Sequence, residues 1–128
     1  MQVQNNMVGW FEIHVDNMER AKKFYQGVFS REMIDLPSEN KETQMCMFFS
    51  SGDMALGASG ALVKSNHLKP GIGGSLVYFT CEDCANEGSR VIANGGSLFK
   101  EKTSIGEYGH IALVKDSEGN LIGLHSMK

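Results

Sequence analysis

The sequence predicts an α+β fold in which two repeated β-α-β-β-β units together form a cup. Three observations carry that expectation. Alternating apolar and polar residues mark strands, helical spacing of apolar residues marks two amphipathic helices, and the second half of the chain repeats the order of the first. At 128 residues the chain suits one domain whose two halves share a core. The expected organisation is a single domain over 1–128, with a first module at 8–58 and a second at 75–126.

Taken in order, Trp10 to Val15 alternates, with Phe11, Ile13 and Val15 on one face and Trp10, Glu12 and His14 on the other. Asp16 and Asn17 offer helix N-caps, and Glu19 suits the positive end of a helix dipole. Met18, Ala21, Tyr25 and Val28 then recur at helical spacing, which predicts a helix to about Phe29. Leu36 to Thr43 reads as a loop, Gln44 to Ser50 as a strand, Ser51-Gly52-Asp53 as a turn and Met54 to Ala58 as a short strand. Ser59 to Gly74, with Pro70, reads as the joint between the halves.

The order then repeats. Leu76 to Cys81 is an expected strand, with Val77, Phe79 and Cys81 on one face and Leu76, Tyr78 and Thr80 on the other. Asp83 can cap a helix to about Ala93, stopped by Asn94-Gly95-Gly96. Strands follow at Ser97 to Lys102, His110 to Lys115 and Leu121 to Ser126, with a polar loop at Thr103 to Gly109 and a turn at Asp116 to Asn120. An offset of 66 pairs Val15 with Cys81, Asn17 with Asp83 and Gly57 with Gly123.

Composition narrows the function classes. The net charge of −3 and the absence of a Lys/Arg cluster give no footprint for nucleic acid. Met1 to Trp10 holds no basic residue and no long apolar run, so neither a secretory signal nor a membrane anchor is expected. Three cysteines without such a signal point to free thiols and a cytoplasmic location.

The apolar strand faces, among them Ile111/Leu113 and Ile122/Leu124, are expected to bury against the helices. The opposite faces carry Trp10, Glu12 and His14, then Tyr78 and Thr80, then His110 and His125. If the sheet curves, these groups converge as an aromatic floor with a few polar groups, the usual make-up of a small-molecule pocket. Alternate residues on a strand lie about 6.6–6.8 Å apart, so Glu12 and His14 can address one ligand. The plainer reading is a solvated sheet face, on which Trp10 and Tyr78 would be awkward in water.

The run F-E-I-H-V-D-N-M-E-R-A-K-K-F-Y-Q-G-V-F at 11–29, with K-D-S-E-G-N-L-I-G-L-H at 115–125, resembles the glyoxalase/bleomycin-resistance/dioxygenase family, the vicinal oxygen chelate superfamily. The resemblance covers nearly the whole chain. It implies an incomplete eight-stranded barrel-like cup from two β-α-β-β-β modules, and often a homodimer. Metal-using members place four His, Glu or Gln ligands in the cleft, two from each half. Carried over by motif, those positions fall on Trp10, about Gly57, Leu76 and Gly123, none with a side chain that ligates a divalent cation. No metal and no other cofactor is therefore expected, although a displaced set of Glu12, His14, His110 and His125 is geometrically conceivable.

Other candidates carry less. Cys81 and Cys84 form a C-x-x-C at a strand-to-helix passage, but Glu82 and Asp83 oppose a thiolate, and packing explains the pair better. Thr103 to His110 reads either as a flap that brings Glu107 and Tyr108 to a ligand or as a bulged connection. Three functions stay open. One is a metal-free binding protein with Trp10 and Tyr78 stacking on the ligand. A second is a lyase or isomerase with Glu12 or His14 as general base and His110 or His125 as donor. The third is a structural dimeric domain.

Overall fold

The structure, a computed structural model, describes residue 6 and residues 8–37, 42–52 and 55–128. The first half contains β1 (Trp10–His14), α1 (Met18–Phe29), β2 (Met33–Leu36), β3 (Thr43–Phe48) and β4 (Ser59–Ser65). The second contains β5 (Val77–Thr80), α2 (Cys84–Ser89), β6 (Ser97–Ser104), β7 (His110–Lys115) and β8 (Leu121–Ser126), with short 3-10 turns at Ile92–Asn94 and Gly106–Tyr108. Each half is a β-α-β-β-β module. The sheets run β1-β4-β3-β2 and β5-β8-β7-β6, with β1/β4 and β5/β8 parallel and the other pairs antiparallel. Together they make an open, cup-like arrangement rather than a closed barrel.

Local sequence explains the helices. Asn17 caps α1 by accepting from the Arg20 amide, and Glu19 lies in the first turn. The stripe Met18, Ala21, Phe24, Tyr25 and Val28 is buried. Asp83 caps α2 through the Ala85 amide, but α2 ends at Ser89 instead of continuing to Ala93. Gly88 and Ser89 weaken that helix, and the chain resumes as a 3-10 turn that stops at Gly95 with φ 96°.

The first half departs from the expected strand positions. The fourth strand is Ser59–Ser65, inside the segment read as the joint and beyond residue 58, where the first module was expected to end. Residues 55–58 are not strand, while residues 53 and 54, part of the expected turn and strand, lie outside the described residues. Gly60-Ala61-Leu62-Val63 is buried on both faces, which removes the alternation that marks a half-exposed strand. The sequence reading also left out β2. Of the expected loop at 36–43, residues 38–41 lie outside the described residues.

One core joins the halves. Ile13, Cys46 and Leu62 from the first sheet pack with α1, and Ala112, Val114, Ile122 and Leu124 from the second sheet belong to the same cluster. Both sheets contribute their helix-facing sides to this shared core, so their other faces are the ones turned away from it.

Candidate functional site

β1 places Trp10, Glu12 and His14 on the outward face of the first sheet. The residues opposite them on β4 are Ser59, Ala61 and Val63. Parity held here: Ile13 is 6 % exposed beneath the helix, whereas Trp10 is 43 % exposed. The indole Nε1 of Trp10 donates to Glu12 Oε2 at 3.2 Å, so the ring orients the carboxylate. His14 Nδ1 is buried without a hydrogen-bond partner among the described residues.

The outward face of the second sheet holds Tyr78 and Thr80 on β5, opposite Gly123 and His125 on β8. A side chain at Gly123 would overlap the Tyr78 ring, so glycine is what lets that ring lie across β8. His125 Nε2 is 2.7 Å from the Tyr108 carbonyl oxygen, which ties the Gly106–Tyr108 turn to this face. Glu107 and the 68 %-exposed Tyr108 thus stand near His125 on an ordered turn.

His110 does not join this group. It pairs with Ser126, whose hydroxyl accepts from the Cys84 amide at the start of α2, so His110 shares the helix-facing side of β7 with Ala112 and Val114. Ile111 and Leu113 take the outward face, the reverse of the expected parity. Ala112 is small, so the β7 pattern I-A-L-V gave no clear inner face. Within one chain, no hydrogen bond or ring contact among the described residues connects the Trp10/Glu12/His14 face to the Tyr78/Thr80/His125 face.

The family's metal positions shift slightly on the structure. Val15 N bonds Val63 O, and Cys81 N bonds His125 O, so β1/β5 keep the offset of 66 while β4 matches β8 at an offset of 62. The counterpart of Gly123 is therefore Ala61, not Gly57. Trp10, Ala61, Leu76 and Gly123 carry no oxygen, sulfur or imidazole donor, and the Tyr78 ring covers the space above Gly123. This donor set does not fit a metal ion. The displaced set is not assembled either: among the described residues no three His, Cys, Asp or Glu side chains come together in a way that could hold one.

A cavity of about 720 Å³ opens between the modules, where β5 and the segment around Ala55 to Ser59 meet Phe11, Phe29, Phe48 and Phe79. Of the predicted site residues, only Tyr78 and Thr80 line it. Phe11 and Phe79, on strand faces expected to bury against the helices, border this cavity.

A polar knot joins the modules beside this core. Tyr25 donates to Asp116 Oδ2 at 2.7 Å, and burial foremost pushes the Tyr25 phenol up. Glu118 accepts from the Asp16 and Asn17 amides and from Arg20 through both Nε and Nη2. Burial acts to raise its carboxyl, but those bonds and Ser117 overcome it and hold it at about 2. The cysteines are free and buried. Burial, then Glu87, pushes the Cys81 thiol up to about 12, which fits packing rather than redox work.

Among solved structures, the chain is similar to glyoxalase I from Zea mays (a V278E mutant) at 15 % identity and a TM-score of 0.72, covering 93 % of this chain and 45 % of that one. It thus spans under half the length of the maize protein. It is similar to a glyoxalase/bleomycin resistance protein from Albidiferax ferrireducens T118 at 22 % identity and 0.64, covering 94 % and 98 % of the two chains. It is also similar to TnmS3, an antibiotic binding protein from Streptomyces sp. CB03234, at 22 % identity and 0.66, covering 98 % of both. At these identities the likeness shows a shared fold. No curated protein matches the sequence. The sequence profile described as Glyoxalase/Bleomycin resistance protein/Dioxygenase superfamily matches residues 7–124. The chain belongs to that superfamily.

Proposed function

We propose that the protein binds a small organic molecule without the family's metal ion, at a site built from both outward sheet faces. The observation that carries this reading is the replacement at the metal positions. Trp10 supplies aromatic surface there, the Tyr78 ring lies across Gly123, and Ala61 leaves room beside Glu12. Half-exposed rings with nearby Glu12, His14, Thr80 and His125 suit an aromatic or amphipathic ligand. TnmS3, of the same fold, is an antibiotic binding protein, which fits this class of function.

The site is completed by a second copy. Within one chain no hydrogen bond or ring contact among the described residues joins the two faces, so a homodimer that sets the first face against the partner's second face brings Trp10, Glu12 and His14 to Tyr78, Thr80 and His125. Glu107 and Tyr108 close the rim, and the location is cytoplasmic. Ligand titration followed by the fluorescence of Trp10, the single tryptophan, tests the reading. Trp10→Ala weakens binding by about 1–3 kcal/mol, the usual scale for an aromatic anchor. Unaltered affinity would place the ligand elsewhere.

A second reading is favoured by the Trp10–Glu12 bond, which holds a carboxylate in one orientation on an accessible face. In a lyase or isomerase, Glu12 would take a proton from a carbon beside a carbonyl, with His14 as its acid/base partner and His125 as donor to the developing oxyanion. Glu12→Gln then abolishes turnover while ligand affinity stays within a few fold. Turnover that survives the substitution removes Glu12 as the base.

A further inference from the structure

The cavity between the modules is lined mainly by phenylalanine, unlike the Trp10, Glu12 and His14 face. Its floor is a cluster centred on Phe79, whose ring centroid lies 4.7 Å from Phe29, 5.6 Å from Phe48, 5.8 Å from Tyr25 and 5.9 Å from Phe11. All four Phe side chains of that cluster are only partly buried and border the open space. Wetting such a surface is unfavourable by roughly 25 cal/mol per Å² of apolar area, so an apolar occupant is strongly preferred to water. The volume of about 720 Å³ falls inside the range of small-molecule sites.

The charge at the rim selects the occupant further. Arg31 is the one charged side chain among the described lining residues. Arg31 makes no hydrogen bond or ion pair among the described residues. Its guanidinium, exposed on the short connection after α1, is therefore free to take an oxyanion in a charge-assisted, two-point contact.

We infer that this cavity is a second binding site, for a small amphipathic anion whose apolar body lies on the phenylalanine cluster and whose carboxylate meets Arg31. The site is separate from the Trp10, Glu12 and His14 face and shares Tyr78 and Thr80 with the second sheet's face.

Calorimetric titration of the full chain with decanoate, and with decanol as its uncharged counterpart, tests the inference. The expected result is saturable binding of one decanoate per chain. Arg31→Gln should weaken decanoate about tenfold, as losing one charge-assisted contact does, and decanol less than about twofold. Ala58→Trp, at an exposed lining position, should block both ligands by filling the mouth. Trp10→Ala, outside the cavity, should leave both affinities unchanged. Absence of saturable decanoate binding overturns the inference, as it would if a second copy covered the cavity. Equal effects of Arg31→Gln on the two ligands overturn the anion assignment. Loss of decanoate binding in Trp10→Ala overturns the location, moving the ligand to the outward faces.

Discussion

Glu118 is the residue on which the halves depend most directly. It belongs to the turn after β7, yet it accepts from the first two amides leading into α1 and from Arg20 on that helix. A carboxylate at a helix N-terminus is favourable, and here it also forms a fork with a guanidinium. Its carboxyl, held at about 2 in the folded protein, lies below the ordinary glutamate value of 4.5. The folded-state value is depressed, so the contribution is fully present above pH 4.5 and is lost as pH falls toward 2. Urea unfolding at a series of pH values should show that loss, on the order of 3 kcal/mol. Glu118→Gln should remove most of this acid dependence and lower stability at pH 7 by about 2 kcal/mol. An unchanged acid limb would show that other carboxylates govern it. Tyr25→Phe acts nearby: Asp116 keeps its bonds from the Glu118 and Asn120 amides and Asn120 Nδ2 but loses the phenol, at a cost of about 1.5–3 kcal/mol.

At the scale of elements, legibility followed the physics of each strand. β1 and β5 could be read because each has one helix-facing and one opposite face, and that alternation sets Trp10, Glu12, His14, Tyr78 and Thr80 on the face away from the helices. β4 could not, because Gly60 to Val63 is covered on both faces and its glycine imitates a turn. Gly60 is required where it stands, since a side chain there would overlap the Phe11 carbonyl and ring. β7 misled because alanine fills an inner position while larger residues face out, so His110 was assigned to the wrong side. The cavity was illegible for a different reason: its lining comes from five separate segments that no local pattern connects. Close packing between elements gives a further prediction. Gly96 sits where a side chain would overlap the Lys115 carbonyl, the Phe24 ring and Val91, so β6 could not keep its approach to α1. Gly96→Ala should destabilise by about 1–3 kcal/mol in a denaturant titration. A neutral result would mean that the β6 start shifts without cost.

At the scale of the whole molecule, two sequence modules do not make two folding units. Phe79 of β5 contacts the rings of Phe11, Tyr25, Phe29 and Phe48, all from the first module, so its aromatic contacts all cross the boundary between the halves. α1 meanwhile meets Val91 and the β7 and β8 core residues in one cluster. Neither module buries its helix-facing side without the other, and the Glu118 and Asp116 knot ties the same boundary by hydrogen bonds. Stability of such a chain is a small difference between large terms, so loss of the shared boundary removes the margin of both halves at once. The expected behaviour is a single cooperative unfolding transition observed alike by Trp10 fluorescence, which reports on the first sheet, and by far-ultraviolet circular dichroism. Phe79→Ala should lower stability by about 2–4 kcal/mol, given its partial burial, and still leave one transition. Hydrogen exchange then separates the possibilities. A shared core requires that amides of α1 and β8 lose protection together in Phe79→Ala, although the substitution lies in β5. Loss confined to the second module, or a second transition in the fluorescence, would mean that the halves hold their structure separately and that the repeat survives as two domains.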